Sequence, residues 1–127
     1  MRVLLDTHAF LWGVADDPRL SPGARRAISG AHERFLSIVS CWEIAIKVSS
    51  GRLSLEQPFE RFIHTQLALN PFDLLAIDLE DIARAATLPF HHRDPFDRML
   101  AAQALNDELV IVSADPIFGK YGATRAW

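Results

Sequence analysis

Four acidic residues far apart in chain order have the types and settings to share one chemistry: Asp6, Glu43, Asp97 and Asp115. Asp6 directly follows the apolar run Val3-Leu4-Leu5, and Asp115 lies just past Val112, across Ser113-Ala114. Glu43 falls early in the helical pattern after a second apolar run, and Asp97 in the first turn of a helix that Pro95 opens. Brought together, such groups repel: two unit charges about 4 Å apart cost roughly 4 kcal/mol at an effective dielectric near 20. A divalent cation removes the conflict. All-oxygen ligation with room for water suits Mg²⁺, with Mn²⁺ as a substitute. Such an ion lowers the pKa of a bound water and stabilises charge on a phosphoryl group.

Each acid also has a local explanation. Asp6 can cap the helix that follows it, and Asp115 before Pro116 is a good N-cap. Ser40-Cys41-Trp42-Glu43 matches a capping box. In Asp94-Pro95-Phe96-Asp97, one acid caps and the other sits where the helix dipole favours it. What favours chemistry is the convergence of all four, which capping alone does not require.

The elements that must position these acids alternate along the chain. Val3–Leu5, Phe35–Val39, Leu74–Ile77 and Leu109–Val112 read as strands, with a short fifth near Thr124–Trp127. Helices are expected from Ser21-Pro22 to about Ser29, from the second strand to about Val48, and from Pro58 to Asn70. Two more cover Leu79–Leu88, with Leu79, Ile82, Ala83 and Ala86 on one side, and Pro95 to about Asn106. This βαβα order favours an α/β fold, a mostly parallel sheet covered by helices. In such sheets, strand C-termini and the following helix N-termini share the ligand-binding edge. Asp6, Glu43 and Asp115 belong there by topology; Asp97 joins them only if the loop before its helix returns to that edge.

The 127 residues fit one domain, residues 1–127, whose balance of 50% hydrophobic and 23% charged residues is ordinary for a globular chain. The net charge of -3 argues against a nonspecific nucleic-acid binder, so any attraction to phosphates must come from local Arg and Lys plus a cation. Cys41 has no partner in the chain, and the apolar start is too short for a signal peptide. A cytoplasmic protein with no membrane span is the expectation.

Taken together, four fragments resemble the PIN-domain nucleases, specifically the VapC-type toxins of bacterial toxin–antitoxin pairs. They are Asp6-Thr7-His8, Trp42-Glu43-Ile44-Ala45-Ile46-Lys47, Asp94-Pro95-Phe96-Asp97-Arg98 with Ala101-Ala102-Gln103-Ala104, and Ser113-Ala114-Asp115 with Phe118 and Tyr121. The resemblance runs from Asp6 to Tyr121. It implies a five-stranded parallel sheet in an α/β/α sandwich, Mg²⁺- or Mn²⁺-dependent cleavage of RNA, and a VapB-type antitoxin partner. By the same resemblance Asp6 and Asp97 are the principal metal ligands, and Glu43 and Asp115 complete the metal shell or orient the attacking water. Ser113 would bond an acid or a metal water. Asp94 is a runner-up ligand, favoured as the N-cap that sets Asp97.

Arg93 and Arg98 flank Asp97 and read equally as surface ion pairs or as RNA phosphate contacts. Lys47, four residues after Glu43, suits an ion pair along the helix. His8, His91 and His92 lack the closed set a zinc site needs and are read as structural or solvent-facing. Phe10, Trp12 and Trp42 could stack on bases but suit core or interface better. Phe10, Leu11, Trp12 and Val14 make the first helix apolar on more than one face, which suggests a homodimer or antitoxin surface. Two other functions compete. A phosphotransfer or phosphatase domain would use Asp6 as nucleophile, but it wants a second acid where Thr7 and His8 stand. A noncatalytic binding module would keep the fold and the acids for stability alone.

Overall fold

Every apolar run singled out above contributes to a strand of one sheet. The computed structural model describes residues 1–127. Strands β1 (Arg2–Leu5), β2 (Glu33–Ser37), β3 (Asp73–Leu75), β4 (Val110–Val112) and β5 (Arg125–Ala126) form a five-stranded sheet in the order β3-β2-β1-β4-β5. All four pairings are parallel, so the sheet is wholly parallel. The central strand β1 carries the register, with Leu4 opposite Phe35 on one side and Ile111 on the other. The chain steps from β1 to β2 on one side and later reaches β4 on the other. The edge beyond the C-termini of β1 and β4 is therefore the topological switch point where ligands bind in open α/β sheets.

Seven helices cover the sheet: α1 (Thr7–Val14), α2 (Pro22–Gly30), α3 (Ile38–Ser49), α4 (Phe59–Leu69), α5 (Leu79–Thr87), α6 (Pro95–Asn106) and α7 (Ile117–Lys120). The alternation of side chains along a strand splits the core in two. Val3, Leu5, Leu36 and Val112 pack with Phe10, Ala24, Ala27 and Ile63 on one face. Leu4 and Ile111 pack with Leu100, Ala101, Ala104 and Phe118 on the other. α3 feeds both, through Ile44 and Val39 respectively.

Local chemistry moves several boundaries. The second strand ends at Ser37 rather than Val39, because the Ser37 hydroxyl accepts from Val39 N and starts α3 there. Ser40 is consequently inside the helix, with a buried hydroxyl that finds no partner, and the expected capping box with Glu43 does not form. A capping box does form at Asp78 and Asp81 on α5, which also ends the third strand at Leu75, short of Ile77. The Leu79, Ile82, Ala83, Ala86 side of α5 faces solvent; Asp81, Ala85 and Leu88 turn inward. On α1, Phe10 is buried, and Leu11, Trp12 and Val14 pack against the core. These three side chains stay half-buried, so the first helix keeps part of its apolar surface at the groove beside α1.

Candidate active site

Asp6 is placed by the end of β1. Its N–H donates to the Val112 carbonyl of β4 at 3.1 Å, and its Oδ1 accepts from Ala9 N at 2.8 Å, capping α1. The expected cap and the expected place at the sheet edge are thus the same arrangement. The residue is buried, and burial pushes its carboxyl above the usual range. The Glu43 charge adds to that shift, whereas the Ser113 hydroxyl, Ala9 N–H and His8 oppose it.

Glu43 stands in the second turn of α3, because α3 starts at Ile38. Both of its oxygens are engaged: Thr7 Oγ1 donates to Oε1 at 2.6 Å, and Lys47 Nζ lies 3.3 Å from Oε2. The expected Glu43–Lys47 pair is present, on half-buried side chains. Thr7, treated in the sequence only as the neighbour of Asp6, is the residue that ties α1 to α3 at the site. Its sole sequence signal is adjacency to an acid at a strand end.

Asp97 reaches the same edge because the α5–α6 loop returns to it. Asp94 caps α6, with Oδ1 accepting from Phe96 N at 2.8 Å and Asp97 N at 3.4 Å. Burial pushes the Asp97 carboxyl up to about 6, with the Asp94 charge adding. A hydrogen bond from His92 pulls the other way, and Asp6 is close enough to raise it further. Asp6 thus feels Glu43, and Asp97 feels Asp6, which links the three acids electrostatically, while the ligand atoms lying within 4.8 Å of one another are those of His92, Asp94 and Asp97.

Asp115 lies at the same edge, on the turn that follows β4. It is exposed, its N–H donates to Ser113 Oγ at 3.0 Å, and its Oδ1 accepts from Ile117 N at 2.9 Å, closing a turn before α7, whose N-cap is Pro116 rather than the expected Asp115. Ser113 is fully buried between β4 and Asp6.

Arg98 is not available to RNA, correcting its reading as a phosphate contact. It is 7% exposed. Its guanidinium donates to the carbonyls of Ala85 (2.8 Å), Leu88 (3.0 Å) and Pro89 (2.9 Å) and stacks on the Phe90 ring at 4.2 Å. The planar fork suits this several-carbonyl clamp. Arg93, by contrast, is exposed beside the site. Trp42 is also not core: it is 62% exposed, with its edge against Phe96. His8 is exposed at the mouth and stacks on Trp12.

The donor set fits a divalent ion. Asp6 and Asp97 are oxygen donors whose mutual repulsion is uncompensated by any Arg or Lys, and Lys47 is spent on Glu43. A hard cation resolves that conflict better than any side chain present.

The fold and this acidic edge define a class. The PIN domain family matches residues 3–123, and the chain belongs to that family. It is 32% identical over 114 residues to "Ribonuclease VapC22" of Mycobacterium tuberculosis, covering 89% of this chain and 86% of that protein. Among solved structures it is similar to VapBC2 from Rickettsia felis bound to a promoter DNA fragment, at 11% identity and a TM-score of 0.72, covering 98% and 97% of the two chains. It is also similar to DNA-bound VapBC from Salmonella typhimurium, at 17% identity and a TM-score of 0.69, covering 98% and 96%. At these identities the likeness is one of fold.

Proposed function

We propose that the protein is a divalent-metal-dependent ribonuclease, the toxin of a VapBC-type toxin–antitoxin pair. The observation that carries this reading is an acidic edge at the switch point of a PIN fold, where Asp6 and Asp97 have raised carboxyls and Asp6 feels the charge of Glu43. The name of the M. tuberculosis relative supports the ribonuclease assignment.

Asp6 and Asp97 would hold the ion, Mg²⁺ with Mn²⁺ as substitute. When bound, it neutralises the carboxylates, acidifies a water and shares the charge of the phosphodiester. Glu43, fixed by Thr7 and Lys47, accepts a proton from the attacking water or orients it. Asp115, exposed at the rim, assists from the water's side, and Ser113 steadies Asp6. Arg93 contacts substrate phosphate. Attack in line needs no covalent intermediate, and a 5′-phosphate product is what the resemblance to PIN-domain nucleases implies. A nucleophilic Asp6 is disfavoured, because one of its oxygens is committed to capping α1.

The partner is a VapB-type antitoxin, a reading supported by the VapBC complexes among the structural relatives. A groove of ≈ 770 Å³ runs from His8 and Lys47 past Trp12, Arg19, Arg52, Leu55 and Phe62. Its floor is apolar and its walls mix Arg19, Lys47 and Arg52 with Asp17 and Glu56, a lining that suits an amphipathic segment. A homodimer is proposed on α5, where Leu79, Ile82 and the following Phe90 are exposed, rather than on α1. No helix is long and apolar enough to cross a membrane, and a cytoplasmic site of action is proposed with it. The test is incubation with total RNA in Mg²⁺, in EDTA, and with Asp6→Ala. Cleavage only in the first supports the proposal; equal cleavage by Asp6→Ala removes it.

A further inference from the structure

His92 lies five residues before Asp97, on the loop between α5 and α6, with its imidazole turned back toward that acid. Nε2 is 2.9 Å from Asp97 Oδ2. The other ring nitrogen, Nδ1, accepts from Arg93 N at 3.1 Å. A nitrogen that accepts has no proton, so in the neutral ring the proton is on Nε2. The local backbone thus selects the tautomer that donates to the carboxylate.

The loop is held in place from two sides. His92 N donates to Tyr121 Oη at 2.9 Å, and Tyr121 Oη returns a bond to His92 O at 3.3 Å. The Arg98 clamp on Ala85, Leu88 and Pro89 fixes the chain just before it. Tyr121 and Arg98 come from two other segments and Arg93 follows His92 on the loop itself, and their common effect is to present one imidazole N–H to one carboxylate oxygen.

We propose that His92 is a positioning residue for Asp97: it occupies Oδ2, fixes the carboxylate's rotation, and leaves Oδ1 for the divalent ion. This rests on the reading of Asp97 as a metal ligand. His92, Asp94 and Asp97 are close enough together to hold an ion themselves. That alternative is disfavoured here, because Nε2 carries the proton rather than a free pair and so offers the ion no lone pair on that side. Partners that orient a ligating carboxylate in this way commonly contribute about 10- to 100-fold in metal affinity or activity.

The experiment titrates Mn²⁺ into the full chain and follows free Mn²⁺ by electron paramagnetic resonance. Wild type, His92→Ala, His92→Gln and Asp97→Asn are compared, each with its metal-free melting point. His92→Ala is expected to bind Mn²⁺ about 10- to 100-fold more weakly with an unchanged melting point. His92→Gln, whose amide N–H can reach the same oxygen, recovers most of that loss. Binding by His92→Ala equal to or tighter than wild type, with binding lost in Asp97→Asn, overturns the inference while leaving the metal site intact. So does a directly bound nitrogen on Mn²⁺ in the wild-type spin-echo spectrum, or a His92→Gln no better than His92→Ala. Wild-type affinity in Asp97→Asn is a different failure: it overturns the ligand assignment, and the role of His92 with it.

Discussion

Thr7 Oγ1 donates to Glu43 Oε1 across 2.6 Å, joining the residue after Asp6 to the second turn of α3. Through this bond β1, which sets Asp6, and α3, which sets Glu43, share one rigid corner. Thr7→Val keeps the shape and removes the donor. Glu43 then retains only Lys47, and cleavage should fall about 10- to 100-fold, the scale of a misplacement near 1 Å. Single-turnover RNA cleavage, with urea melts to exclude gross unfolding, measures it. Wild-type rates would show that Glu43 needs no such anchor.

Asp6→Asn removes a buried charge that desolvation and Glu43 both oppose. The metal-free variant should melt higher than wild type. It should also lose the stabilisation that Mg²⁺ gives wild type, about 2.7 kcal/mol at a hundredfold excess over Kd. Thermal melts with EDTA and with Mg²⁺ read both effects. An undiminished Mg²⁺ shift in Asp6→Asn would falsify its role as a ligand.

Asp97 sets a pH dependence of the metal-free chain. Its carboxyl sits at about 6 when folded, against an ordinary 3.8. Between those values the folded chain holds a proton that the unfolded chain releases, so folding stability is fully present below about 4 and declines as pH rises toward 6. Denaturant melts in EDTA should show this decline in wild type, and Asp97→Asn should remove that component. Parallel pH profiles for the two proteins would contradict it.

Two arginines separated by five positions should behave oppositely. Arg98→Met leaves four neighbouring carbonyls and the Phe90 face without their cation. It should cost about 3 kcal/mol or more of stability, as loss of a buried charged donor does. Arg93→Ala should leave stability unchanged and weaken RNA binding, with a shallower salt dependence. Melts and filter binding at two salt concentrations separate them; equal destabilisation by both would undo the distinction.

A dimer on α5 predicts that Ile82→Glu, on an exposed side chain, gives a well-folded monomer. Sedimentation velocity of both proteins is the check. A wild-type monomer at high concentration removes the dimer proposal.

Sequence alone carried the alternation of strands and helices, because apolar runs, Ser-Pro starts and Asn-Pro or Gly stops are local signals. It also carried the place of Asp6 directly after β1 and of Asp115 shortly after β4, since a parallel sheet sends every strand's C-terminus to one edge. It misjudged Ser37, whose hydroxyl bond to Val39 N began α3 early and moved Glu43 from the first turn to the second. Whether the α5–α6 loop would bring Asp97 back to Asp6 depended on Arg98 and Tyr121, contacts made across the fold that no local pattern contains. The outward side of α5 and the burial of Arg98 were settled in the same way. Periodicity names the sides of a helix, but only its neighbours decide which side meets water.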